Sequence, residues 1–471
     1  MLVLLLGTGL FLTIGLRFLS IVRLPYAFGE LFRKRDDQKE GDVSPFGALM
    51  TALSSTIGTG NIAGVAAAIA IGGPGAIFWM WVTAVVGTAT KYSEGVLALR
   101  FRETDKAGRH VGGPMYYIKN GMGQKWIWLG GIFAVFGILA SWGTGASIQA
   151  NSVSDAIRET YGGSHDSWLY QNFPWITGLV LASGAAAVIL GGVQRIASVA
   201  TKLVPFMAVS YLAAGLLVIS LNVDAIPAAF GLIFQGAFGL DSAGTGISIG
   251  LMMLAMQKGV ARGVFSNEAG QGSAPIAHAA AKNDDPVNQG IVAMLGTVID
   301  TLIVCTITAL VVLTSGVIGE QCLPVAAQLD VFLAGNQPEG CDTGAPLTAA
   351  AFDATLTGVG QHIVTLGLAV FGFTTILGWS YYGERCCEFL FGEGSIFLFR
   401  LSWIVMVFFG SAALMLEGEI GNIVNIFWLV ADTLTGLMAA PNLIALIVLS
   451  PIVFKLTKEY FAALEKKGEE G

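Results

Sequence analysis

Charge is what this sequence has least of. Asp, Glu, Lys and Arg make up 12% of its 471 residues, about half the share of a soluble globular domain. The net charge is −7 and no basic run is interleaved with aromatics, which excludes nucleic acid as a partner. Five cysteines are too few for a disulfide scaffold. Cys305, Cys386 and Cys387 read as inert fillers of apolar sequence. Cys322 and Cys341 share an acidic loop, where a bridge can form in an oxidising compartment. The four histidines (His110, His165, His278, His362) are scattered, and HExxH and CxxC are both absent. A resident metal is therefore not expected, and no other cofactor either. No G-x-x-x-x-G-K-[ST] run occurs, so any work this chain does draws on an ion gradient rather than on a nucleotide.

What is present is apolar sequence, 54% of the chain, with a mean hydropathy of +0.70. A helix crossing the ~30 Å hydrocarbon core takes about 20 mostly apolar residues. Such runs cover Met1–Leu19, Pro45–Ile71, Ala76–Leu99, Trp126–Ser152, Trp175–Leu190, Thr201–Leu221, a Gly-interrupted stretch Ile226–Met256, Gln289–Val317, Val359–Tyr382, Ile396–Leu416 and Ile420–Phe454. The fold class is an all-α membrane protein of about eleven spans, one transmembrane domain over 1–471, bound by lipid. The last run contains Pro441 and Asn442 and reads as one span or two. The first lacks a positive n-region and is followed by Arg17 and Arg23, so it reads as a helix and not a signal peptide.

Lys and Arg cluster after odd-numbered spans: Arg23 and Arg33 to Arg35; Arg100 to Lys125; Arg195 and Lys202; Lys258, Arg262 and Lys282; and Lys455 to Lys467. The segment Ile318–Gly358 has acids only. Eleven spans with the N-terminus outside and the C-terminus cytoplasmic satisfy every loop.

Lipid forbids unpaired backbone groups except where they line a cavity or face protein. A break at membrane depth therefore marks a site where freed N–H groups hold a carboxylate and freed carbonyls a cation. The second span carries one, Ser54-Ser55-Thr56-Ile57-Gly58-Thr59-Gly60-Asn61; the bland alternative is a small-residue packing seam. The seventh span predicts another at Gly239–Gly246, after Pro227-Ala-Ala-Phe230-Gly231, which echoes Pro45-Phe46-Gly47. Asp300 lies mid-span beside Thr297 and Thr301 and reads either as a cation ligand or as a hydrogen-bonded structural acid. Asp432 reads as structural. Lys91 and Glu94 at i, i+3 read as a paired, partly snorkelled link. Gly246-Ile-Ser248-Ile-Gly250 fits G-x-S-x-G without the strand context or a His partner, which weighs against a membrane-embedded enzyme. A channel would need a filter repeat that is not evident.

Three blocks resemble the alanine or glycine:cation symporter family of the sodium:alanine type. They are Gly58-Thr-Gly-Asn-Ile-Ala-Gly64 through Gly72–Trp79 to Thr90-Lys-Tyr-Ser-Glu94; Gly112-Gly-Pro-Met-Tyr-Tyr117; and Arg262–Pro275 followed by Asp300-Thr301. The resemblance implies a secondary transporter that couples sodium or proton influx to uptake of a small neutral amino acid, alanine or glycine, by alternating access. It implies a five-plus-five inverted repeat of the leucine-transporter type, with 1–19 an extra helix, 45–221 the first repeat and 226–454 the second. Repeat helices one and six would be the broken ones.

The substrate carboxylate would rest near Thr56, Gly58, Thr59 and Gly60, with Asn61 facing a cation beside it. A second sodium position would take the carbonyls of Ser54, Ile57 and Phe371 and the hydroxyls of Thr374 and Thr375. The i, i+3, i+4 spacing puts the last three on one face; the bland reading of the two threonines is back-bonding within their helix. Trp379 follows on that face and would limit the substrate's size, with Thr375 beside it. The resemblance adds Gln149 and Phe238 to the pocket and Asp300 to the cation set. Asn267 and Glu268 fit either the core or an inner loop.

Overall fold

The computed structural model describes residues 2–31, 39–239, 245–318 and 344–469. It is almost wholly helical, as a chain in lipid must be when no water is there to satisfy its backbone. The main helices are α1 Leu2–Gly15, α2 Pro45–Thr56, α3 Gly60–Gly72, α4 Gly75–Arg100, α5 Gln124–Tyr161, α6 Trp168–Ile189, α7 Gly192–Leu221 and α8 Ile226–Phe238. They continue with α9 Thr245–Asn267, α10 Ala274–Ala279, α11 Pro286–Thr314, α12 Ala345–Thr355, α13 Gly360–Phe391, α14 Ile396–Ala412 and α15 Glu417–Glu469. Among the described residues seven helices are long and apolar enough to cross a membrane, and the bent pair α2 and α3 makes an eighth.

Local chemistry sets several of the ends. Pro45 opens α2 behind Ser44, whose hydroxyl accepts from the Gly47 amide at 3.0 Å. Pro286 opens α11 behind Asp285, which accepts from the Val287 and Asn288 amides at 2.9 and 3.1 Å. Both pair an oxygen cap with a residue that needs no partner for its nitrogen. Three π-helical turns lie inside longer helices, at Gly60–Gly64, Ser141–Ser147 and Val298–Cys305. Such turns collect at functional sites.

The solvent-side pattern is inverted relative to a soluble protein. Leu179, Val180, Phe206, Val209, Phe397 and Leu398 are each more than 60% exposed, whereas Asn61, Gln149, Asn267 and Asp300 are at most 2% exposed. Apolar surface faces lipid and polar side chains face the bundle interior. Small residues let the inner helices approach closely. A Cβ on Gly95 of α4 would come within 2.7 Å of Ala293 of α11, and one on Gly290 within 2.7 Å of the Tyr92 carbonyl. At the periphery α1 and the short helix Leu24–Leu31 pack on α15: the Phe11 and Phe454 rings are 6.1 Å apart, and the hydroxyls of Tyr26 and Tyr460 are 3.0 Å apart.

Contacts sort the connecting segments onto two faces. On one, Lys282 donates to the Val43 carbonyl at 2.7 Å, and Arg102 donates to the Ala281 carbonyl at 2.8 Å. Arg109 pairs with Asp105 at 2.6 Å, and Arg385 with Glu388 at 2.5 Å. Arg400 bonds Glu384 at 2.6 Å and the Leu190 carbonyl at 3.3 Å. Burial pushes the Asp105 carboxyl up, but the Arg109 amide and guanidinium more than offset it and hold the group below the usual carboxylate range. On the other face Asn222 donates to Thr355 at 2.9 Å, and Tyr161 stacks on His362. Arg102, Arg109 and Lys282, from two of the basic segments, lie on the first face.

The structure corrects the seventh span. It is two helices: α8 ends at Phe238, and α9 runs from Thr245 to Asn267. The second break is at residues 268–273, between α9 and α10, where Glu268 has φ 54°, Gly270 87° and Gly272 84°. Lys258 and Arg262 therefore lie within α9 and belong to no loop. The stretch at Gly239–Gly246 lies in part outside the described residues, as do Cys322, Cys341 and the side chain of Asp432. The last span is one continuous helix through Pro441 and Asn442.

Candidate functional site

Two interrupted helices meet at the centre of the bundle. In the first, α2 ends at Thr56, the Ile57 amide closes on the Leu53 carbonyl at 2.8 Å, and α3 leaves at 55° to α2. The Gly58 amide, freed by the break, donates to Asn61 Oδ1 at 2.9 Å. The Thr59 amide donates to Gln149 Oε1 of α5 at 3.4 Å. In the second, the Gly270 carbonyl accepts from Asn442 of α15 at 2.9 Å, and the Gly272 amide donates to Glu94 of α4 at 3.1 Å. Asn442 also donates to Glu94 at 2.7 Å and accepts from the Tyr117 hydroxyl.

Glu94 is thus a buried brace for the second break. Lys91 and Glu94 are 2% and 1% exposed, so the snorkelled link expected for them does not form: their helix α4 sits at the centre of the bundle.

The two breaks are joined by Asp300. Its carboxylate accepts from Asn61 Nδ2, Ser266 Oγ and Thr301 Oγ1, each at 2.7 Å. The π-turn at Val298–Cys305 holds it there, wholly buried. The three donors take the place that hydration would have around this buried carboxyl group.

On the opposite side of the first break, α13 brings oxygens against α2. The Thr374 and Thr375 hydroxyls donate to the Phe371 carbonyl at 2.9 and 3.0 Å, and Thr375 also reaches the Ile57 carbonyl at 3.3 Å. The back-bonding and the cross-helix contact coexist. The Ser54 hydroxyl bonds the Thr51 carbonyl at 2.7 Å in the same region of α2, where Gly378 of α13 lies against Ser54 and Ser55. The Thr374 hydroxyl also lies 3.4 Å from Met207 Sδ, but the carbonyl and hydroxyl oxygens gathered here are the donors that suit a hard cation.

A cavity of about 10 Å³ lies between the breaks, lined by Thr56, Gly58, Gly60, Gln149, Thr375 and Trp379, with Ser55, Thr144, Phe265, Glu268, Gln271 and Thr435 completing it. That is the room of about one water molecule, so its walls must part to admit even the smallest amino acid. Trp379 is 2% exposed and stands edge-on to Tyr382, with ring centroids 5.7 Å apart. Phe265, Gln271 and Thr435 also line a second cavity of about 500 Å³ that reaches Leu5, Lys258 and Arg262. They form the partition between the two.

Of the residues singled out in the sequence, all but one come together here or in the two polar clusters beside it. Phe238 does not. It is 49% exposed and packs on Phe78 of α4 at 5.0 Å, because its helix ends before the broken one begins. Glu268, left open between core and inner loop, lines the cavity, and Phe265, Gln271, Thr144 and Thr435 were missed. The sequence signal for Glu268 and Gln271 was the Gly-spaced run Asn267-Glu-Ala-Gly270-Gln-Gly272, polar and flanked by apolar helix.

Gly58 is the tight point. A Cβ there would sit 2.5 Å from Thr375 Oγ1, whereas on Gly60 its nearest neighbours would be Phe265 at 3.4 Å and Ser266 Cα at 3.7 Å. Gly58→Ala is expected to destabilise the protein by about 1–3 kcal/mol, the cost of overpacking, and Gly60→Ala by less. Denaturation midpoints of the two purified variants check the order; equal midpoints would mean that the contact between the first break and α13 yields freely.

Comparison with known proteins places this geometry. The family model described as the sodium:alanine symporter family matches residues 1–471. The sodium/alanine symporter AgcS of Methanococcus maripaludis is 49% identical over 463 residues, 98% of this chain and 94% of that protein. The probable sodium/glutamine symporter GlnT of Bacillus subtilis is 35% identical over 466 residues, 98% and 87% of the two chains. The crystal structure of MhsT in complex with L-phenylalanine superposes with a TM-score of 0.56 at 13% identity, over 89% of this chain and 99% of that one; the likeness is one of fold.

Proposed function

Since the chain belongs to the sodium:alanine symporter family, and is thereby a multi-pass, cation-coupled amino-acid transporter and not an enzyme, we propose that its substrate is alanine or glycine and its coupling ion sodium. The carrying observation is the cavity of about 10 Å³ closed by Trp379 between two broken helices. An indole in a packed wall leaves room for a short side chain and little else.

The substrate carboxylate sits on the amides of Thr59 and Gly60, at the positive end of α3. Gln149 and Thr56 border it, and Thr375 and Trp379 face its side chain. One sodium ion is held by the carbonyls of Ser54, Ile57 and Phe371 with the hydroxyls of Thr374 and Thr375. This ion ties α2 to α13. A second cation position lies by Asn61 and Asp300, next to the carboxylate. The halves 45–221 and 226–454 act as the two repeats that rock about the site, with 1–19 outside them. The basic loops face the cytoplasm with the C-terminus, and the N-terminus is outside. A proton is the second reading for the coupling ion, favoured by the wholly buried Asp300.

Uptake of labelled alanine into proteoliposomes separates these readings. An inward sodium gradient is expected to drive accumulation, unlabelled glycine to compete, and leucine to fail. Accumulation under a proton gradient without sodium would overturn the ion assignment, and competition by leucine at alanine's concentration would overturn the size limit.

A further inference from the structure

The carboxylate seat accounts for one end of a zwitterion and leaves its ammonium group without a partner. An ammonium taken out of water needs an opposite charge or several oxygens close by. One ionisable side chain on the cavity wall answers to that need. Glu268 lines the same cavity as Gly58, Gly60 and Trp379 and is 2% exposed. Its carboxylate accepts from Ser273 Oγ at 2.5 Å, and Trp379 lines the same cavity. No ion pair uses it among the described residues.

The backbone supports the same conclusion. Glu268 has φ 54°, the left-handed region that a residue with a Cβ adopts only at a cost. Gly270 and Gly272 share that region within the same break without such a cost. Strain of this kind persists where the surroundings fix it, and it collects at ligand-holding positions. Here the left-handed turn ends α9 and leaves the Glu268 side chain on the cavity wall, instead of letting it continue along the helix toward α4.

We propose that the Glu268 carboxylate is the seat of the substrate's ammonium group, opposite the amides of the first break. The assignment rests on the amino-acid reading given above. It makes the site a reader of both charged ends of an α-amino acid, so that a carboxylate lacking the amine is rejected. Lys91 is not among the residues lining the cavity, which leaves the cavity side of the carboxylate to the ligand.

Two measurements test this. The first uses the wild-type protein in detergent, with labelled alanine displaced by unlabelled alanine, by propionate (the same carboxylate and carbon skeleton without the amine) and by alaninamide (the amine without the carboxylate). Both analogues are expected to compete at least about tenfold more weakly than alanine, the worth of one charge-assisted hydrogen bond. Propionate competing as well as alanine would overturn the assignment without involving any variant. The second uses Glu268→Gln, which keeps size and shape. Alanine is expected to weaken by about tenfold or more while propionate holds or improves, so that their ratio collapses. A fall of both by the same factor, or unchanged alanine binding, would assign Glu268 to structure alone. Failure of the wild-type protein to bind alanine at all would overturn the substrate reading, and this assignment with it.

Discussion

Replacing both Thr374 and Thr375 with alanine is expected to weaken sodium activation of uptake by about 10²- to 10⁴-fold, taking about 1.5–3 kcal/mol for each bond between an oxygen and a charged partner. Both hydroxyls converge on the Phe371 carbonyl, and Thr375 reaches across to Ile57 as well. Without them a cation would be left with carbonyls alone. The folded protein should survive the change. Each threonine bonds backward within its own helix, an arrangement that contributes little to helix stability, and alanine is the better helix former. The check is alanine uptake against sodium concentration, alongside the unfolding midpoint of the purified double variant. Unchanged sodium activation would remove these hydroxyls from the ion site and turn attention to proton coupling through Asp300.

The second large effect belongs to Trp379. Trp379→Ala is expected to open the cavity to valine and leucine, which overpacking in the wild-type site excludes at about 1–3 kcal/mol, roughly a 5- to 150-fold preference. Alanine itself should bind more weakly, because its methyl loses the wall that it packs against. Truncating a buried Trp also costs about 3–5 kcal/mol of stability, and here the ring leans on Tyr382 and fills the space that Gly145 leaves clear. Competition by glycine, alanine, valine and leucine against labelled alanine, scored as ratios, separates the two effects. A variant that keeps the wild-type order with a general loss of activity would assign the ring to structure and place the size limit elsewhere.

The first break was legible because its chemistry is compositional. Gly58 and Gly60 sit among Ser55, Thr56, Thr59 and Asn61 in an apolar run, and only a site uses that mixture at membrane depth. The threonine pair and Trp379 followed from spacing on one helix face together with the family resemblance. The second break was misplaced because glycine density pointed to Gly239–Gly246, whereas the actual turn depends on φ 54° at a glutamate. No composition signals that a residue with a Cβ will take that conformation. The misplacement of Phe238 followed directly. The π-turns were equally hidden. Each inserts a residue into the helical count, so that Gln149, just beyond Ser141–Ser147, faces the cavity by a register that a simple helical wheel does not give. Lys91 and Glu94 were read as snorkelled because their distance from the membrane face depends on how deeply α4 lies in the bundle, which is a tertiary fact.

The packing of α1 and the short helix Leu24–Leu31 on α15 has a consequence in time. Tyr26 meets Tyr460 across 434 residues of chain, and Arg23 approaches Glu465. At the ~5–20 residues per second of chain synthesis, the first helix waits roughly 20–90 s in the membrane before its last partner exists. Its Gly15 presents a gap shaped for the Phe454 ring, so until then this helix is held only by α4 and its neighbours, with one flank open to lipid. α15 closes this flank, and a ribosome that stalls before about residue 450 leaves α1 without it.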